Sequence, residues 1–249
     1  MRNAKKQLPI TFFDTNSIVR YREMSQGFSE KEDLWSWFVL RRISIYFTLF
    51  FKSIKATPNF VSWLSVFFML LSGLMIVYSQ PFTYLLAALF YNIGYLFDCV
   101  DGELARITKR TSKKGIFIDF LIQAASLPVY LSIAMTLLIH TDKLLLTNVE
   151  ILFIYTITVF IIMGLLVPIS YQLTQSANLV QDPLNKIRNK SFVLDLIAFL
   201  TGLPGLFVCL FLFTMLFEIH VVKFYLLLFL TTTIVKTFVR LMTTLRNIK

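Results

Sequence analysis

From Pro58 to Tyr78 the chain carries no charged side chain. A helix crosses a bilayer with roughly 18 to 20 apolar residues, so this run alone requires a fold that includes a membrane. Several later runs are of the same kind. Hydrophobic residues make up 57% of the 249, above the roughly 45–50% of soluble domains, and the mean hydropathy is +0.71. That balance leaves no room for a large separate soluble domain. The net charge of +10 is not a nucleic-acid signature. The basic residues gather in particular loops, as the cytoplasmic loops of membrane proteins require.

Taken in order, residues 1 to about 30 read as a polar cytoplasmic arm, with no signal-peptide core. Residues 31–55 are aromatic and apolar but broken by Arg41 and Arg42. An arginine at the centre of a span costs about 2.5–3.5 kcal/mol. The segment therefore reads as an amphipathic helix lying in the interface, with Trp35 and Trp37 at headgroup level; an extra short span is the alternative. Thr57-Pro58 then opens the first span. A second runs from near Phe82 to Arg106, and a third from Gly115 to His140. A fourth covers Val149 to Tyr171, kinked at Pro168. A fifth runs from Ser191 to Phe217, interrupted by Gly202, Pro204 and Gly205, and a sixth ends near Arg240. The expectation is an all-α integral membrane protein of six transmembrane helices plus an amino-terminal interfacial helix. Residues 1–56 form the arm and interfacial helix, and 57–249 the membrane domain. The loops placed outside hold only Lys143 and Lys223 of the basic residues, so both termini face the cytoplasm. Cys99 and Cys209 suggest neither a disulfide framework nor a thiolate metal site.

The chemistry is concentrated in DCVDGELARITKRTSKKGIFIDFLIQ, from Asp98 to Gln123. Asp98, Asp101, Gly102 and Ala105 fall on one helical face, and Gly115, Asp119 and Gln123 on one face of the next helix. The two helices are joined by a short loop, so three carboxylates can meet in one pocket. Such a cluster cannot ionise readily in a low-dielectric site without cations. Oxygen-only donors suit Mg²⁺, Mn²⁺ or Ca²⁺ rather than zinc. Gly102 and Ala105 clear bulk for a ligand, and Arg106, Lys109 and Arg110 supply charge for phosphate. Metal, basic residues and a cleared face together point to a pyrophosphate ligand and phosphoryl transfer. The bland alternative is a snorkelling helix end with Asp–Arg pairs. Asp119, opening a separate helix, counts against it.

These residues resemble the signature of the CDP-alcohol phosphotransferase family: D-x2-D-G-x2-A-R, eight residues, then G-x3-D-x3-D. Asp98, Asp101, Gly102, Ala105, Arg106, Gly115 and Asp119 match at the right spacing, over about a tenth of the chain. The six-span layout fits the family over most of the rest. The resemblance implies an enzyme of phospholipid biosynthesis that displaces CMP from a CDP-linked donor and joins the remaining phosphoryl group to an alcohol. Asp98, Asp101 and Asp119 would hold Mg²⁺ or Mn²⁺, two ions in the family, on the donor's pyrophosphate. Gly102, Ala105, Arg106 and Gly115 would line the nucleotide site, joined by Asn59 and Ser62, which a helix start and a packed polar residue also explain. Asp119 and position 123 would be its catalytic end. The family also implies a homodimer in contact with membrane lipid, its site open to the cytoplasm and inner leaflet.

One position departs from the pattern. The family's last aspartate, its general base and a ligand of the second metal, is here Gln123. Glutamine coordinates weakly and cannot accept that proton at neutral pH. Three readings stay open: another base or a metal-bound hydroxide serves, the site binds without turnover, or the glutamine is an engineered substitution. Lys186, Arg188 and Lys190, with Asp195, are candidates for an anionic acceptor or donor group, though positive-inside anchoring explains the basic residues equally well. Arg41, Arg42 and Ser44 are candidates for the pocket rim, while His140 and His220 fall on the exterior side. The leading function is a metal-dependent CDP-alcohol phosphotransferase, the second a non-catalytic nucleotide- or lipid-binding relative. A third, a transporter with an intramembrane cation site, is disfavoured because the acids sit at one end of the spans.

Overall fold

A computed structural model describes residues 8–27, 33–124, 126–139, 147, 150–156, 158–159 and 192–247. Their regular structure is helical, with no strand among the described residues. Helix α1 is Asn16–Ser25, and α2, Arg41–Ser53, continues from a π-helical stretch, Ser36–Leu40. Then come α3 (Pro58–Val77), α4 (Pro81–Thr108), α5 (Lys113–Ala124), α6 (Ser126–Ile139), α7 (Phe192–Leu200), α8 (Leu203–Leu216) and α9 (Ile219–Asn247). Among the described residues, three segments are long and apolar enough to cross a membrane: Pro58–Val77, Pro81–Thr108 and Ile219–Val239. Leu127–Ile139 and Leu203–Leu216 are shorter apolar helices.

The helix starts follow local chemistry. The Thr57 hydroxyl accepts from the Phe60 N–H at 3.3 Å, with Pro58 in the first turn. At α4, the Gln80 N–H donates to Thr83 Oγ1 at 3.0 Å as half of a capping box. Helix α4 ends where Lys109 adopts a left-handed φ of 54°. The expected interruption of the fifth span is a break between α7 and α8. A Cβ on Gly205 would lie 2.2 Å from the Phe199 carbonyl oxygen, so only glycine lets the two segments pack this closely. Lys236 Nζ of α9 donates to the Thr201 carbonyl at 2.7 Å, covering an end of α7.

Helix α4 is the axis of the fold. Its Tyr84, Ala88 and Tyr91 share a core with Ile76 of α3, Ile133 of α6, Phe207 of α8 and Leu226 of α9. Tyr91 stacks on Phe207 with centroids 4.1 Å apart. Nearer the motif, Ser65 donates to the Gly94 carbonyl at 2.8 Å, binding α3 to α4 with small residues. A separate core of Val66, Met69, Ile118 and Ile122 holds α5 on α3.

The amino-terminal arm is packed into this frame rather than extended from it. Arg22 is fully buried, and all five of its N–H donors are used. They reach both Asp14 carboxylate oxygens, Gln26 Oε1, and the Arg41 and Arg42 carbonyls. Burial works against the Asp14 charge, but Arg22, Tyr46 and Thr11 outweigh it and hold the carboxyl well below the usual range. Helix α2 buries a mixed face, Ser44 and Thr48 beside Ile45 and Phe51, and leaves Ile43, Phe47 and Phe50 exposed. Trp37 is packed inside the protein at 2% exposure. Trp35 is tied down by a 2.8 Å bond to Asn92 and stacks near Phe199. The fourth span beyond residue 159 with Pro168, the loop with Lys186, Arg188 and Lys190, His140, and Lys143 lie outside the described residues.

Candidate active site

A cavity of about 340 Å³ opens where α3, α4 and α5 meet. Helix α4 brings Asp98, Asp101, Gly102, Ala105 and Arg106 to its wall, because those positions share one helical face. Helix α3 contributes Asn59 and Ser62, and α5 contributes Gly115 and Asp119. Arg110 comes from the connecting turn, and Arg41 from the start of α2.

The walls are held by specific bonds. Ser62, buried on α3, donates to Asp101 Oδ2 at 2.5 Å, so it steadies a motif carboxylate as well as facing the cavity. The Ser112 hydroxyl accepts from the Gly115 N–H at 3.1 Å, capping α5 beside the cavity. The amino end of α5 thus faces the space between the aspartates and Arg110, an arrangement that favours anions. A Cβ on Gly102 would stand 3.3 Å from both terminal nitrogens of Arg106. The missing side chain is therefore what lets Arg106 lie across its own helix. Arg106 Nε donates to the Ser25 carbonyl of α1 at 2.6 Å, so the arm aims this arginine.

The donor set is all oxygen, which fits a hard divalent cation in kind. Asp98, Asp101 and Asp119 share one cavity, with Asp119 exposed. Among the described residues, no three His, Cys, Asp or Glu side chains stand close enough together to form a metal-holding group. Gln123 lies one helical turn after Asp119 on α5.

Other candidates separate from the cavity. Lys109 is the exposed left-handed cap of α4 and is not on the wall. Asp195 is buried on α7 and is not among the residues lining the cavity. Arg42 faces a different groove, with Phe12 and Phe13, and Ser44 is turned inward. Lys186 and Arg188 are outside the described residues.

Sequence reasoning passed over Glu103. It is fully buried on α4, between motif residues. Its Oε1 accepts from Gln26 at 2.8 Å, Arg41 at 3.0 Å and Ser44 at 2.5 Å, and its Oε2 from Thr48 at 2.8 Å. The available signals were the polar pairs Arg22/Gln26 and Ser44/Thr48, each spaced to share a helical face.

A family model described as CDP-alcohol phosphatidyltransferase matches residues 55–229, from the turn before α3 into α9. The chain belongs to the CDP-alcohol phosphatidyltransferase family. Its members transfer a phosphate-bearing group from a CDP-alcohol to an acceptor. The chain is also 37% identical over 65 residues to a curated protein of Thermococcus kodakarensis, named "Bifunctional IPC transferase and DIPP synthase". That match spans 26% of this chain and 14% of the relative's length. No solved structure matches.

Proposed function

We propose that the chain transfers a substituted phosphoryl group from a CDP-linked donor to an alcohol, releasing CMP. The observation that carries this reading is the single cavity walled by Asp98, Asp101, Asp119, Arg106 and Arg110 in a chain of this family. The acceptor hydroxyl oxygen bonds to the phosphorus farther from cytidine. The bond from that phosphorus to the bridging oxygen breaks, and CMP departs with the electron pair. Asp98, Asp101 and Asp119 would hold Mg²⁺ or Mn²⁺, which supplies charge neutralisation for the diphosphate. Arg106, Arg110 and the amino end of α5 bind phosphoryl oxygens. Asn59 and Ser62, with Gly102, Ala105 and Gly115, line the side of the nucleotide.

The acceptor's proton must leave. With Gln123 at the last motif position, Asp119 is the remaining carboxylate on that face of α5 able to take it. A general base contributes about 10²–10⁴-fold. Gln123→Asp should therefore raise CMP release by about that factor over the native chain. Equal rates would remove the assigned role of position 123, and no CMP from either chain would contradict the transferase reading. Gln123 also favours a second reading, a relative that binds the CDP-donor without efficient turnover. Calorimetry would then show CDP binding with no CMP formed until aspartate is restored.

The proposal places six spans in the membrane with both termini and the cavity mouth on the cytoplasmic side, as the basic loops suggest. Helix α2 then lies in the interface, supported by its exposed Ile43, Phe47 and Phe50. A homodimer is carried by family resemblance.

A further inference from the structure

None of the residues in the buried cluster around Glu103 is a matched position of the family signature, yet the cluster ends at the cavity. Arg41 is where the two meet: Nη1 donates to Glu103 at 3.0 Å, its side chain is 12% exposed, and it lines the same space as the aspartates. We propose that Arg41 binds phosphoryl oxygens of the CDP-donor's diphosphate, and that Glu103 is the positioning residue that aims it.

The construction supports this in three ways. Glu103 is fully buried and takes four donors, three of them from α2 and the fourth, Gln26, from the arm. A buried carboxylate is tolerated only with such pairing. Three of those four donors are neutral, and Arg41 is the cation among them. Gln26 then locks the carboxylate's surroundings from the other side, giving one N–H to Glu103 and the other to the Arg41 carbonyl, each at 2.8 Å. Fully buried Arg22 in turn fixes Gln26 Oε1 at 3.0 Å and the same Arg41 carbonyl at 2.8 Å. Both the backbone and the side chain of Arg41 are held.

The π-helical turn ending at Leu40 explains how Arg41 reaches the site. A wide turn rotates the residues that follow it, and such turns recur at functional sites. Arg41 faces the cavity and Glu103, while Arg42 faces the separate groove. A guanidinium fixed at a cavity wall binds phosphoryl oxygens at little further entropy cost. The amino-terminal arm thereby orients two cavity arginines, Arg106 through Ser25 and Arg41 through Gln26 and Glu103.

The inference rests on the CDP reading, and binding calorimetry on the full chain separates the two. Mn²⁺ alone, and CDP in the presence of saturating Mn²⁺, are titrated into the native protein and into Arg41→Gln, Arg41→Lys and Glu103→Gln. Removing a charge-assisted contact should weaken CDP about 10- to 100-fold in Arg41→Gln, with Arg41→Lys between it and native. Mn²⁺ should bind at least as tightly in Arg41→Gln, because a cation near the aspartates has been removed, and about as tightly in Arg41→Lys, which keeps the charge. Glu103→Gln, if it folds, should weaken CDP with Mn²⁺ retained. Unchanged CDP affinity in Arg41→Gln would reduce Arg41 to a counter-ion and overturn the proposal. Parallel loss of CDP and Mn²⁺ would show a merely structural role and overturn it too. No CDP binding by the native chain would remove the CDP reading itself.

Discussion

At the scale of single residues, the fold depends on polar groups that are buried and paired. Removing one partner of a buried pair leaves the other charge uncompensated, at about 3–5 kcal/mol. Arg22→Ala should destabilise by about that amount in a thermal or detergent-denaturation measurement, since it strands Asp14, Gln26 and two carbonyls. Asp14 has a lowered pKa in the folded state, so its contribution is present above its unfolded value of about 4 and is lost as pH falls below that. The native protein should lose stability on acidification, and Asp14→Asn should be weaker at neutral pH and flatter in acid. A native and a variant profile that fall in parallel would show that Asp14 carries no acid-sensitive stability.

At the scale of elements, two chain reversals make opposite demands. Lys109 occupies a left-handed conformation that costs a residue with a Cβ about 1 kcal/mol relative to glycine. Lys109→Gly should thus be neutral or stabilising by up to about 1 kcal/mol, and Lys109→Val destabilising. Gly205→Ala should destabilise by about 1–3 kcal/mol, because its Cβ meets the Phe199 carbonyl. Melting temperatures of the three variants check both. The sequence made much of this legible. Thr57-Pro58 marked the start of α3 and the Gly202–Gly205 segment marked the broken helix, because capping and glycine sterics act over a few residues. The motif spacing likewise put Asp98, Asp101 and Asp119 on one cavity, since helical periodicity and a short turn suffice. Trp37 and Glu103 were not legible in the same way. Both are buried, and Glu103 takes donors from residues as far away in the chain as Gln26. The burial of Ser44 and Thr48 on α2 likewise depends on Glu103, to which both donate.

At the scale of the whole molecule, a membrane frame built on α4 carries a family signature at one end, and a packed arm adds a second source of positive charge. The family match begins at residue 55, after Arg22, Gln26 and Arg41, so the arm's contribution lies outside the matched region. The most direct test of the account is CMP release by the reconstituted chain supplied with CDP-alcohols, candidate acceptors and Mg²⁺ or Mn²⁺. The account predicts CMP that requires donor, acceptor and metal, stops on chelation, and is lost in Asp98→Asn. No CMP release and no CDP-dependent stabilisation with any divalent ion, in the native chain and in Gln123→Asp alike, would contradict it.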